Sequence, residues 1–165
     1  MAVLPVVLWP DVRLQTVCDP VPNPSDHAAL IQDMFDTMYA APGRGLAAPQ
    51  VGVMSRMFVM DPTWKEGTYS PYACFNPEII KRSEAMTTGQ EACLSIPGVA
   101  ADVVRHAEIT MRWQDVVGAS HEEHLTGFAA ICAQHEFDHL NGTVIFDHQA
   151  PEMRALLEMG YRRDT

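Results

Sequence analysis

Hydrophobic positions recur every three to four residues after Pro24-Ser25-Asp26, where Leu30, Ile31, Met34, Phe35 and Met38 share one face and predict an amphipathic helix. Ser25 or Asp26 is placed to cap its start, and Pro42-Gly43 stops it. A second helix is expected from about Thr126 to Leu140, with Gly142 just beyond its end. A short third one is expected from Pro151 to near Gly160, since proline suits a first helical turn. Between the first two helices the period changes to two. Ala107, Ile109, Met111 and Trp113 alternate with Glu108, Thr110 and Arg112, which is the mark of a half-buried strand. Met57–Met60, Cys74–Phe75 followed by Glu78–Lys81, and the weaker His121–Leu125 extend the strand set, and residues 61–72 read as a surface loop. Strands grouped in the middle and flanked by helices predict an α+β fold with antiparallel sheets, in preference to an alternating parallel one.

Composition narrows the class of protein. The chain has 165 residues, the size of one domain spanning 1–165, with 47% hydrophobic and 19% charged residues, a globular balance. Acidic residues outnumber basic ones 21 to 11, for a net charge of −10, so neither a phosphate backbone nor an anionic membrane surface is an expected partner. No apolar run approaches the ~18 residues of a spanning helix. The apolar opening from Met1 to Trp9 lacks a basic flank and is broken by Pro5, so it reads as a docked segment and not as a signal peptide. The expected compartment is the cytoplasm. Cys18, Cys74, Cys93 and Cys132 are too scattered for a disulfide scaffold.

Chemistry concentrates in His135-Glu136-Phe137-Asp138-His139. Residues four apart on a helix lie one above the other, so His135 and His139 offer two imidazoles to one point, a good start for Zn, Fe, Co or Ni. Glu136 lies about 100° around the helix, near enough to reach a water at such a metal. The bland reading is a solvated helix with surface ion pairs. The apolar run Phe128–Ala133 upstream argues for burial instead, and buried His and Glu need partners. A catalytic metal needs a third ligand and an open position. The extended pattern HExxHxxGxxH fails at Ile145, leaving His148, Glu152 and, upstream, Cys93 as candidates.

Three segments taken together, Gly43-Arg-Gly-Leu-Ala-Ala-Pro-Gln50, Glu91-Ala-Cys-Leu-Ser95 and Gln134-His-Glu-Phe-Asp-His139, resemble the three signature motifs of the peptide deformylases. Their order and separations are similar, and the likeness runs over nearly the whole chain, including Asn76-Pro77 and Ser95-Ile96-Pro97. The resemblance implies antiparallel sheets packed around a central HExxH helix, with an N-terminal helix and a short C-terminal one. It implies Cys93, His135 and His139 as ligands of one divalent metal, Fe(II) in the cell, with Zn(II), Ni(II) or Co(II) also accepted. Glu136 would be the general base, while the Gln50 amide and the Leu94 backbone N–H would hold the oxyanion. Gly43, Arg44, Gly45, Gly89, Ile131 and Cys132 would form the substrate groove. The implied reaction is hydrolytic removal of the formyl group from N-formylmethionyl peptides of nascent proteins, releasing formate. The implied protein is a monomer in transient contact with the ribosome.

Three positions depart from the usual family pattern. Ala92 stands where glycine is common, and if that position needs positive φ the alanine would cost about 1 kcal/mol. Arg44 and Gly89 stand where apolar residues usually wall the substrate's methionine pocket. Arg44 is expected to lie over the pocket rim, its other reading being attraction of an acidic substrate side chain. Glu91 and Asp138 are placed to orient metal ligands, with simple surface pairing equally open for Asp138. The tail offsets Arg154, Arg162 and Arg163 with Glu152, Glu158 and Asp164, so ribosome docking through it is not implied. Two alternatives follow: a metallopeptidase using His148 or Glu152, and a deformylase-like metal protein of weak activity or altered preference that mainly binds peptides.

Overall fold

The computed structural model describes residues 2–164; Met1 and the side chains of Arg163 and Asp164 lie outside the described parts. Helix α1 (Ala28–Ala40) is followed by strands β1 (Gly45–Ala47), β2 (Met57–Met60), β3 (Tyr72–Arg82), β4 (Met86–Cys93), β5 (Ile96–His106), β6 (Glu108–Gln114) and β7 (Ser120–Thr126). Helices α2 (Gly127–Leu140) and α3 (Pro151–Asp164) close the chain. A five-stranded antiparallel sheet runs in the order β1-β2-β3-β6-β7, and β4 with β5 forms a separate two-stranded one.

The period-two rule explains how the larger sheet takes a helix on each face. Along β2 every residue is buried, but Met57 and Val59 pack with Ile31, Met34 and Met38 of α1. Phe58 and Met60 face the other way and pack with Ala130, Cys132 and Ala133 of α2. Such a strand reads as a continuous apolar run because neither of its faces is wet. A third cluster joins Val99, Ala101 and Val103 of β5 to the 144–146 segment, Trp9 and Tyr161. Residues 2–9 are docked as the sequence implies: Leu4 N–H donates to Thr37 Oγ1, Val7 N–H to the Gln50 carbonyl and Trp9 N–H to that of Ser95.

Several local expectations change. Ser25 and Asp26 do not cap α1; they sit inside a tight turn, Pro24–His27, that precedes it. With Pro24 at the first turn position, the capping place falls to Asn23, whose carbonyl accepts from Asp26 N–H. The two segments expected around Asn76-Pro77 are one strand, β3, with one register shift across the proline, which has no N–H for the ladder, and a second between Ile79 and Lys81. The 61–72 loop carries a short turn at Trp64–Glu66 and passes into β3 at Tyr72. Helix α3 continues beyond Gly160, because the buried Tyr161 donates its hydroxyl to the Trp9 carbonyl at 2.6 Å and anchors the last turns. The β4–β5 ribbon was not anticipated. Along β4 most side chains are exposed or half-exposed, so no apolar alternation marks it.

Gly142 ends α2 with φ +71°, and a Cβ there would lie 2.7 Å from the Gln15 backbone, so this turn admits no side chain. Phe58 is fully buried between sheet and α2, while Val104 is 54% exposed on the outer face of β5. Phe58→Ala is expected to lower the unfolding free energy in urea by about 3–5 kcal/mol, and Val104→Ala to change it by less than about 0.5 kcal/mol.

Candidate metal centre and active site

Helix α2 is wedged between the two sheets, which is why its polar residues are buried. His135 and His139 lie one turn apart with ring centroids 5.0 Å from each other. Cys93, at the last position of β4, points at both: its Sγ is 3.4 Å from His139 Nε2. The three donor atoms lie within 4.8 Å of one another, close enough to share one ion. His148 and Glu152 do not join this group. His148 Nε2 is instead 2.8 Å from Asp138, and Glu152 is exposed on the first turn of α3. The metallopeptidase ligand sets therefore do not form.

The chemistry of the donors suits a divalent ion. Burial opposes ionisation of Cys93, but the His139 and His135 imidazoles beside it bring its thiol down to about 5. Glu136 is 4% exposed, and among the described residues its Oε1 has no hydrogen-bond partner, as is true of His139 Nδ1. Burial raises the Glu136 carboxyl above its usual range, against the pull of His135 and His139. A buried, unpartnered carboxylate oxygen beside three converging soft and borderline donors fits a metal with a polar fourth position.

A buried ion pair supports the ligands. Glu91 Oε1 accepts from His135 Nδ1 at 2.9 Å, which leaves Nε2 for the metal. Arg105 in turn grips Glu91 with two bonds of 2.8 and 2.9 Å and reaches Asp138 at 2.6 Å. Burial works against the Glu91 charge, yet Arg105 and His135 hold its carboxyl down at about 2. Asp138 thus belongs to this network, linked to Arg105 and His148, and does not bond a metal ligand directly. Arg105 escaped the sequence reading. Its signal is the inward phase of β5, where Val99, Ala101, Val103 and Arg105 are buried in alternation and a charge in that series must find partners.

The groove forms beside this centre as a cavity of about 490 Å³. Gly43, Arg44, Gly45, Ile131 and Cys132 line one side of it, and Leu94 and Ala92 another. Gly45 is required by close approach: a Cβ there would lie 2.5 Å from Glu136 Oε2 and 3.0 Å from Cys132 Sγ. Gln50 is 1% exposed and rigidly held; Oε1 accepts from Ala47 N–H at 2.9 Å, while Nε2 donates to Ser95 Oγ at 3.0 Å and faces Cys93 Sγ at 3.6 Å. Gly89 pairs with Val103 within the β4–β5 ribbon, and a Cβ there would meet nothing within 4 Å, so it supplies no wall; on β4 the side chains that line the cavity start at Gln90. Ala92 carries no strain either, because Asn76 is the one non-glycine residue with positive φ among those described. Arg44 lies over the rim, its guanidinium 4.8 Å from the Phe128 ring centroid and paired with Glu66.

Comparison with known proteins agrees with this arrangement. The polypeptide deformylase family model matches residues 3–155. A peptide deformylase of Afipia carboxidovorans is 46% identical over 149 residues, covering 90% of this chain and 87% of the relative. One of Hydrogenovibrio crunogenus is 48% identical over 146 residues, covering 88% of this chain and 85% of the relative. The solved structure of the Ehrlichia chaffeensis peptide deformylase in complex with actinonin matches with a TM-score of 0.93 at 37% identity, over 99% of this chain and 98% of that one. With the fold, the motifs and the convergent Cys-His-His donors in agreement, this chain belongs to the peptide deformylase family of metal-dependent hydrolases.

Proposed function

We propose that the whole chain acts as one catalytic domain that removes the formyl group from N-formylmethionyl peptides, with Cys93, His135 and His139 holding one divalent metal. The observation that carries this is the buried, unpartnered Glu136 carboxylate beside three converging donors on the wall of an open groove. One thiolate and two neutral imidazoles suit Fe(II), and also accept Zn(II), Ni(II) or Co(II). Bound there, the metal supplies Lewis acidity that activates water near neutral pH and polarises the formyl oxygen.

The residues of the chain do the rest. β1 pairs with β2 alone and is an edge of its sheet, so its outer backbone groups suit pairing with an extended peptide in the groove. Glu136 takes the proton of the attacking water as oxygen bonds to the formyl carbon. The formyl oxygen becomes anionic in that step, and the Gln50 amide and Leu94 N–H donate to it; Ser95 and Ala47 fix the Gln50 amide beforehand. Glu136 then delivers its proton to the amine nitrogen as the C–N bond breaks. Formate and a free N-terminus leave.

Such substrates arise during protein synthesis, which supports a cytoplasmic setting and transient contact with the ribosome, and a site built from one chain is compatible with a monomer. The reading as a weak or altered-preference family member rests on Arg44 at the groove rim and concerns substrate choice, not reaction type.

Formate release from a formyl-Met tripeptide by protein loaded anaerobically with Fe(II) or Ni(II) tests the reaction. Glu136→Ala is expected to lose at least about 100-fold in kcat while keeping one metal per chain; undiminished turnover would refute the assigned base. Gly45→Ala pushes a methyl against the Glu136 carboxylate, and a shift on the order of 1 Å predicts a kcat loss of about 100-fold with metal content unchanged. Arg105→Leu strands the buried Glu91 charge and removes one partner of half-buried Asp138; chemical denaturation should show a loss of about 3–5 kcal/mol, and chelator competition a metal affinity about 10–100-fold weaker.

A further inference from the structure

The mouth of the groove carries a charge that the reaction scheme does not use. The segment following β2 folds back over the rim and is fastened there at several points. Asp61 N–H donates to the Arg44 carbonyl at 2.8 Å, Trp64 Nε1 to the Gly43 carbonyl at 2.9 Å, and Arg44 Nη1 to the Pro62 carbonyl at 2.8 Å. Buried Asp61 ties down the far end of the segment by accepting from Ser70 N–H. This fastening holds Lys65 in the wall of the cavity.

Four charged residues line that cavity, and three of them are occupied. Arg44 is held by both carboxylate oxygens of Glu66 at 2.9 and 3.1 Å and lies against Phe128. Glu91 is gripped by Arg105 and His135, and Glu136 faces the metal donors. Lys65 is different. Its Nζ lies 5.8 Å from the Trp64 ring centroid, and among the described residues it interacts with Glu66 only through space, without a contact ion pair. An exposed cation on a fastened segment at the mouth of a groove, on a chain of net charge −10, offers a local attraction for a carboxylate.

We infer that Lys65 is a specificity-determining residue that favours formyl peptides carrying an acidic side chain at the second or third residue, the part of an extended substrate that reaches the groove mouth. This rests on the deformylase reading of the site. It transfers the acid-selecting role considered for Arg44 to its neighbour in space, because Glu66 already neutralises Arg44.

The test uses C-terminally amidated formyl-Met-Xaa-Ala and formyl-Met-Ala-Xaa, with Xaa as Glu, Gln or Lys, on the metal-loaded enzyme. At one of the two positions Glu should exceed Gln by about two- to fivefold in kcat/KM, through KM, with Lys poorest. Raising NaCl to about 0.5 M should compress the ratio. Lys65→Gln should bring the Glu/Gln ratio to about one, and Lys65→Arg should restore it. A wild-type ratio near one at both positions, or a ratio that Lys65→Gln leaves unaltered, would overturn the inference. Calorimetric binding of the same peptides to the metal-loaded Glu136→Ala protein gives the ratio without turnover. Absence of formate from every peptide would defeat the deformylase reading, and the binding ratio would still decide the role of Lys65.

Discussion

Two imidazoles, a thiol and two carboxylates gathered where α2 leaves water, with a third carboxylate half-buried beside them, would destabilise any fold that left them unpartnered. The structure is organised around meeting that constraint at α2. Arg105 carries the largest share, since a single guanidinium bonds Glu91 and Asp138. Glu91 in turn fixes the ring of His135. The ion pair does not serve stability for its own sake, because well-packed apolar groups could fill the same volume. Its consequence is geometric: the helix carrying the ligands and the ribbon carrying Cys93 cannot slide past each other without breaking charge-assisted hydrogen bonds.

The same wedge of α2 sets the shape of the groove. The larger sheet offers Phe58 and Met60 to the apolar side of the helix, which brings the edge strand β1 against its polar side. That approach is so close that a methyl at Gly45 would have to displace the Glu136 carboxylate, which occupies the space it would need. Packing and chemistry are thus one requirement here. Gln50 follows from the same geometry, its turn leading out of β1 and its amide locked between Ala47 and Ser95.

At the mouth, the arginine that replaces an apolar wall is absorbed without being buried bare. Its planar head stacks on Phe128 and pairs with Glu66, so it acts as a flat, neutralised side to the groove. Its bonds to Pro62 and Glu66 add to the main-chain bonds that hold the 61–70 segment over the rim, so a side chain just ahead of β1 bears on the charge offered by a neighbouring loop.

Much of this was legible in the chain. The i,i+4 histidines, the apolar stripe of α1 and the alternation of β6 are local periodicities, set by helix and strand geometry within a few residues. The three motifs carried the family, and the helix-borne half of the metal centre could be placed from spacing alone. Other features belong to the tertiary structure. Cys93 meets His139 across 46 residues of chain, and nothing in the spacing of either chooses it over His148 or Glu152 as third ligand. Arg105 sits in the inward series of β5, but the polar surface of β4 hid the ribbon that gives that series its meaning. The capping place at Asn23 and the last turns of α3 depended on Pro24 and on Tyr161 meeting Trp9. Sequence by itself determined the periodic elements and the residue types of the site, because those follow from bonds and spacings along the chain. Only the tertiary structure decided which distant side chains share a buried charge, because that depends on which surfaces leave water together.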